Sequence, residues 1–116
     1  MIVDQSAPLE HSRRWPRRKI DVRLKVSWGE AGSRTSTFGR GQILGAGGLG
    51  AYIPTNIPIG GRVVLEVNFA SAPVEVEVQA VVRSCQGFRY GLEFVDLSPE
   101  IRSVIERNCD AAGSEP

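Results

Sequence analysis

One histidine, two cysteines and one methionine among 116 residues leave few means for bond-making chemistry. His11 has no second histidine at metal-ligand spacing, and Cys85 and Cys109 form no C-x-x-C pair. The thiols read as buried or idle, and His11 as a solvated residue of the N-terminal segment. The strand carboxylates Glu66, Glu75 and Glu77 fall on the polar face of alternating patterns, where charges are solvated. No general base, nucleophile or metal set can be assembled from these residues, so an enzyme is not expected and no cofactor is implied. No apolar run approaches the ~18 residues of a membrane span, and residues 1–8 lack both a basic region and an apolar run. A cytoplasmic protein without membrane insertion is the expectation. Neither sign of charge dominates, with 14 basic and 13 acidic residues giving a net +1, so the chain as a whole is not a polyanion binder and nucleic acid is not its expected partner.

The chain does hold enough apolar residues, 41%, to fill one core and no more. Its charge is also unevenly placed. Arg13, Arg14, Arg17, Arg18, Lys19, Arg23 and Lys25 are half of all the basic residues, and within 13–25 only Asp21 opposes them. A balanced chain with one basic patch points to a small anionic ligand.

From Ile20 onward the apolar residues alternate. Ile20, Val22, Leu24, Val26 and Trp28 stand against Asp21, Arg23, Lys25 and Ser27, the period-2 pattern of a half-buried strand. Further strands are expected over 38–44, 49–53, 63–69 and 74–80. In a sixth strand, Phe88, Tyr90, Leu92 and Phe94 face one way across Arg89, Gly91 and Glu93. Six short strands with turns at this spacing indicate an antiparallel barrel or sandwich. One helix follows over 98–109, with Ser98 as N-cap, Pro99 in the first helical position, Glu100 at the positive end of the dipole, and Ile101, Val104 and Ile105 as an apolar stripe. Residues 1–11 and 110–116 lack periodicity and read as flexible tails.

Gly45-Ala46-Gly47-Gly48-Leu49-Gly50 formally satisfies G-x-G-x-x-G, but that fingerprint needs a helix directly after the glycines. A strand ending in Pro54 follows instead. The glycines are expected to serve a tight turn with positive φ, or to let a ligand approach the backbone closely. The segment 12–19 is the most informative. Arginine offers a planar fork of donors to phosphate oxygens and stacks on purines. Trp15 adds a stacking surface, and Pro16 disfavours helix through it, giving an extended arm. From residue types alone, a phosphate pocket and a solvated basic arm touching acidic lipid or nucleic acid both remain open.

The order of parts resembles the PilZ family of cyclic di-GMP receptors. An Arg-Arg-x-Pro-Arg arm opens the first strand, a glycine-rich turn follows the second, and Tyr90-Gly91-Leu92-Glu93-Phe94-Val95-Asp96-Leu97-Ser98-Pro99-Glu100 leads into a terminal helix. The resemblance implies a mainly all-β fold, a six-stranded antiparallel PilZ-type barrel with a C-terminal α-helix. The domain would span 12–109, with an arm over 12–19, a barrel over 20–95 and the helix over 98–109. It further implies a ligand held by an R-x-x-x-R arm, matched by Arg13–Arg17 with Arg14 and Arg18 as an overlapping frame, and by a D/N-x-S-x-x-G motif. The second motif aligns on 43–48, where Gly48 matches, Ile43 replaces the Asp or Asn, and Gly45 replaces the Ser. Arg13, Arg14, Arg17, Arg18, Gly45 and Gly48 are thus the implied ligand-binding residues. Isoleucine offers guanine no hydrogen bond, and each lost bond in a desolvated site costs roughly 1–3 kcal/mol. Two readings follow: a cyclic di-GMP receptor coupled to a protein partner of unknown identity through a mobile arm, or a degenerate PilZ domain serving as a protein-interaction adaptor without nucleotide.

Overall fold

The computed structural model describes residues 17–30, 32–69 and 75–113, with side chains as far as Cys109. Six strands and one helix follow in order: β1 Arg18–Trp28, β2 Thr35–Gly45, β3 Gly48–Tyr52, β4 Arg62–Val67, β5 Val76–Gln86, β6 Arg89–Val95 and α1 Pro99–Gly113. All neighbouring strands run antiparallel, and the sheet closes on itself in the order β1-β2-β3-β6-β5-β4. Closure pairs most of the sheet on both sides, while among the described residues the ends of the longer strands, such as 18–22 of β1 and 35–39 of β2, have a strand partner on one side only.

The inward residues make a single apolar core. Leu24, Val26, Leu65, Val67, Val78, Val82 and Leu92 meet inside the barrel, and Ile105 and Cys109 of α1 add to the same cluster. Each fully buried aliphatic side chain contributes roughly 1.5–3 kcal/mol. Ser98 caps the helix as expected, its Oγ accepting from Ile101 N at 3.2 Å. The apolar stripe then packs α1 against β1 and β2. The helix continues to Gly113 rather than stopping at Cys109.

Three irregularities set where the outward residues point. Register shifts lie between Lys19 and Val22 on β1, between Gly41 and Ile43 on β2, and between Val82 and Ser84 on β5. Each adds a residue and flips the facing of everything beyond it. Thus Gly39 and Gly41 face inward on β2, but after the shift Leu44 is the buried residue and Ile43 turns outward, half-buried. A Cβ on Gly41 would lie 2.9 Å from Val22 Cγ2, so this glycine makes room for core side chains.

Most strand ends lie within three residues of the sequence expectation, as where β2 opens at Thr35 rather than Phe38, and two departures matter more. β5 runs six residues past Ala80, to Gln86, because the extra residue near Arg83 interrupts the alternation without ending the pairing; Val74 lies outside the described residues. Phe88 does not share the inward face of Tyr90, Leu92 and Phe94. It sits at the tip of the β5–β6 hairpin, 42% exposed, next to Gly87 at φ 65°. Glycine in the first central position of a two-residue turn suits the twist of the flanking strands.

Candidate functional site

The basic segment enters the barrel at β1. Arg13, Arg14, Trp15 and Pro16 lie outside the described residues. Arg17 is exposed, immediately before the strand, while Arg18 is the first strand residue, half-buried, with its Nη1 atom shielded from solvent. The two overlapping arginine frames therefore differ at their C-terminal members. Arg17 is turned to solvent and Arg18 partly into the protein.

Antiparallel pairing places the root of the arm against the end of β2. Arg18 stands opposite Leu44 and Lys19 opposite Ile43, and Gly45 pairs with Gly48 across the hairpin turn. Of the residues implied by the second motif, Gly45 thus follows directly on the partner of Arg18, and Gly48 lies one strand further, on β3. Neither turn residue, Ala46 or Gly47, has positive φ; among the described glycines positive φ belongs to Gly29, Gly32, Gly60 and Gly87. The hairpin glycines do not serve a left-handed turn. Gly48 is instead needed for close approach, since a Cβ there would lie 2.4 Å from the carbonyl oxygen of Leu92. The turn is tied to β6 as well, Gly47 O accepting from Phe94 N at 3.0 Å.

Beyond Lys19 and Ile43 the same outward row continues through Gly50, Gly91 and Ser84. Gly50 and Gly91 carry no side chains, so a shallow trough runs from Ile43 at the arm towards Ser84, whose Oγ lies over Gly91 and closes the far end. Ile43 walls its near end, its Cβ 3.5 Å from where a Cβ on Gly50 would stand. Under the motif alignment expected from the sequence, hydrocarbon would stand where the family carries an amide or carboxylate. The sequence alone did not show the trough, because it depends on how β3, β6 and β5 pair.

Other polar groups are engaged structurally. Arg62 Nη1 donates to Gln79 Oε1 and Asp96 Oδ2, and Arg83 Nε to Glu93 Oε1. The Tyr90 hydroxyl donates to Thr55 O and accepts from Ile57 N at 3.0 Å, fastening the segment between β3 and β4 to the barrel. Burial, above all, raises the pKa of this phenol. No group of histidine, cysteine and acidic side chains able to hold a metal occurs among the described residues.

The PilZ domain family model matches residues 11–111. The chain belongs to the PilZ family. A PilZ domain is a nucleotide-binding receptor or adaptor module and not an enzyme. Solved structures agree on the fold. The inhibitor of motility MotI/DgrA of Bacillus subtilis superposes with a TM-score of 0.71 at 13% identity over 90% of this chain, which spans 53% of that one. The PilZ domain of YcgR from Escherichia coli, solved with cyclic di-GMP, gives 0.65 at 20% identity, covering 89% and 92% of the two chains. The PilZ domain of CeSA from a cellulose-synthesising bacterium gives 0.62 at 12% identity, covering 82% and 95%. No curated protein matches. Among the described residues no helix is long and apolar enough to cross a membrane.

Proposed function

We propose that this PilZ domain is a cytoplasmic cyclic di-GMP receptor whose arginine arm closes over the ligand at the β2–β3 hairpin and passes occupancy to a protein partner. The observation that carries the reading is the pairing of β1 with β2, which sets Arg18 and Lys19 beside Leu44, Ile43 and the Gly45–Gly48 turn. The YcgR domain of the same fold was solved with this dinucleotide. Arg13 and Arg17 would hold phosphate and stack on guanine. Arg18, with one nitrogen shielded, would anchor the arm rather than follow the ligand.

Calorimetric titration tests this, with cyclic di-AMP and GTP as controls. Arg13→Ala and Arg17→Ala should each cost a charge-assisted contact of roughly 1.5–3 kcal/mol at nearly unchanged Tm. Arg62→Ala and Arg83→Ala should bind as the parent does, since both arginines are engaged on other strands. Equal losses in all four variants would mean diffuse attraction and no pocket. The amides of 13–18 should also gain protection from hydrogen exchange on adding ligand. Unchanged protection would remove the closing arm.

One observation favours a second reading. Ile43 is half-buried against Gly50, so the surface that should read guanine is aliphatic. In that case the domain is an adaptor that binds protein without nucleotide.

A further inference from the structure

One row of side chains crosses the outside of the barrel next to the trough on β3 and β6. Arg23 stands opposite Arg40, Arg40 opposite Tyr52, Tyr52 opposite Arg89 and Arg89 opposite Gln86. All five are exposed. Two aromatic rings extend the row. Phe38, two residues from Arg40, is 57% exposed, and Phe88, beside Arg89, meets the Tyr52 ring edge-on with centroids 6.1 Å apart. Tyr52 and Phe88 are each 42% exposed.

This row is costly for an isolated barrel. Like charges directly across a strand pair repel, and Arg23 faces Arg40. The repulsion is only partly relieved, by Asp21 on Arg40 at 2.8 Å and by Arg23 lying over Phe38 at 5.1 Å. Exposed aromatics interleaved with arginines have the composition of a binding centre rather than of a solvated face. We infer that the Arg23–Arg40–Tyr52–Arg89 row, with Phe38 and Phe88, is the docking surface for a short extended protein segment that alternates carboxylates with apolar side chains.

Three observations select that occupant. The cationic row calls for carboxylates, which guanidinium forks take in pairs. The rings do not offer open parallel faces for bases, since a guanidinium covers Phe38 and Tyr52 and Phe88 stand at 86° to each other; single-stranded nucleic acid needs such faces. Arg40, Tyr52 and Arg89 are each paired with a strand on both sides, so recognition along the row must use side chains. From β1 to β6 are three strand spacings of about 4.8 Å, and four or five extended residues at ~3.3 Å each would cover them.

The surface is distinct from the arm site, and its test needs no cyclic dinucleotide. A fluorescein-labelled peptide alternating glutamate and leucine is titrated into the full chain, with anisotropy for affinity and amide NMR shifts for location; oligothymidine of equal charge is run in parallel. Shifts should centre on Phe38, Arg40, Tyr52 and Arg89. Arg89→Glu and Tyr52→Ala should each weaken binding about tenfold or more, with the melting temperature kept. Arg102→Glu, on the exposed side of α1, and Arg17→Ala should leave it unchanged. The inference is overturned if oligothymidine binds more tightly than the peptide, or if Arg17→Ala or Arg102→Glu weakens the peptide as much as Arg89→Glu. It also falls if millimolar peptide shifts nothing on this row, or if concentration-dependent mass shows the row occupied by a second copy of the chain.

Discussion

Under the proposed reading, Ile43 and Gly45 set how far this domain can follow the dinucleotide-binding pattern of its family. Because Ile43 lies outside the core and Gly45 lacks positive φ, the double change Ile43→Asp with Gly45→Ser should be tolerated by the barrel. It puts two polar groups at the near end of the trough, and cyclic di-GMP binding should tighten by one to several decades, about 1.4 kcal/mol per decade. Calorimetry with parallel melting curves checks this. A stable double variant with no gain would mean that the hairpin does not read guanine, leaving the adaptor reading. Gly48 carries a different lesson. Its match to the family motif invites a binding role, yet Leu92 O leaves no room for a Cβ. Gly48→Ala should therefore cost roughly 1–3 kcal/mol of stability, seen as a lower denaturant midpoint, before any ligand is added.

At the level of elements, the segment joining β3 to β4 depends on β6. Tyr90 reaches from inside the barrel to Thr55 O and Ile57 N, so Tyr90→Phe leaves a buried amide without its acceptor. A loss of roughly 1–3 kcal/mol is expected in denaturant unfolding. The phenol also titrates in linkage with folding. Burial raises its pKa in the folded state above the unfolded value of about 10, so the folded state retains a proton that the unfolded chain releases. Its contribution is complete below pH ~10 and is lost as pH rises through the folded pKa. Denaturation midpoints should fall on that alkaline limb more steeply for the parent than for Tyr90→Phe.

Legibility in the sequence followed the same elements. β1 and β4 alternate without interruption through their buried stretches and could be read directly, as could α1 from Ser98, Pro99 and its apolar stripe. The alternation of β5 carries only to Ala80, because the apolar Val81 follows on the outward face and the extra residue near Arg83 then breaks the period. Parity alone puts Phe88 inward, although the chain turns at Gly87 before parity applies. The arginine segment was legible as chemistry. Its meeting with the hairpin, and the bare-backbone trough beyond Ile43, arise from pairing between strands distant in sequence, which no local pattern records.

On the scale of the whole molecule, the fold separates charges that the sequence totals conceal. Arg17, Lys19, Arg23, Arg40 and Arg89 are exposed on the β1-β2-β3-β6 side. Glu77 is exposed on β5 and Glu75 just before it, with Glu66 half-buried on β4 between Glu77 and Lys25, and Arg62 and Arg83 offset part of this acidic side. Opposed carboxylates repel, so Glu77→Lys should stabilise the barrel by about 0.2–1 kcal/mol, measured by denaturant unfolding at low salt. The segregation has a consequence beyond stability. A nearly neutral body with unevenly placed charge has a dipole moment, and a uniform field exerts on it a torque rather than a net pull. The barrel would be turned by a charged neighbour before any side chain touched it, presenting its arginine pole to an anionic surface and its glutamate pole to a cationic one. Near-neutral pH should accordingly find it retarded on both anion and cation exchangers, despite a formal charge of only +1.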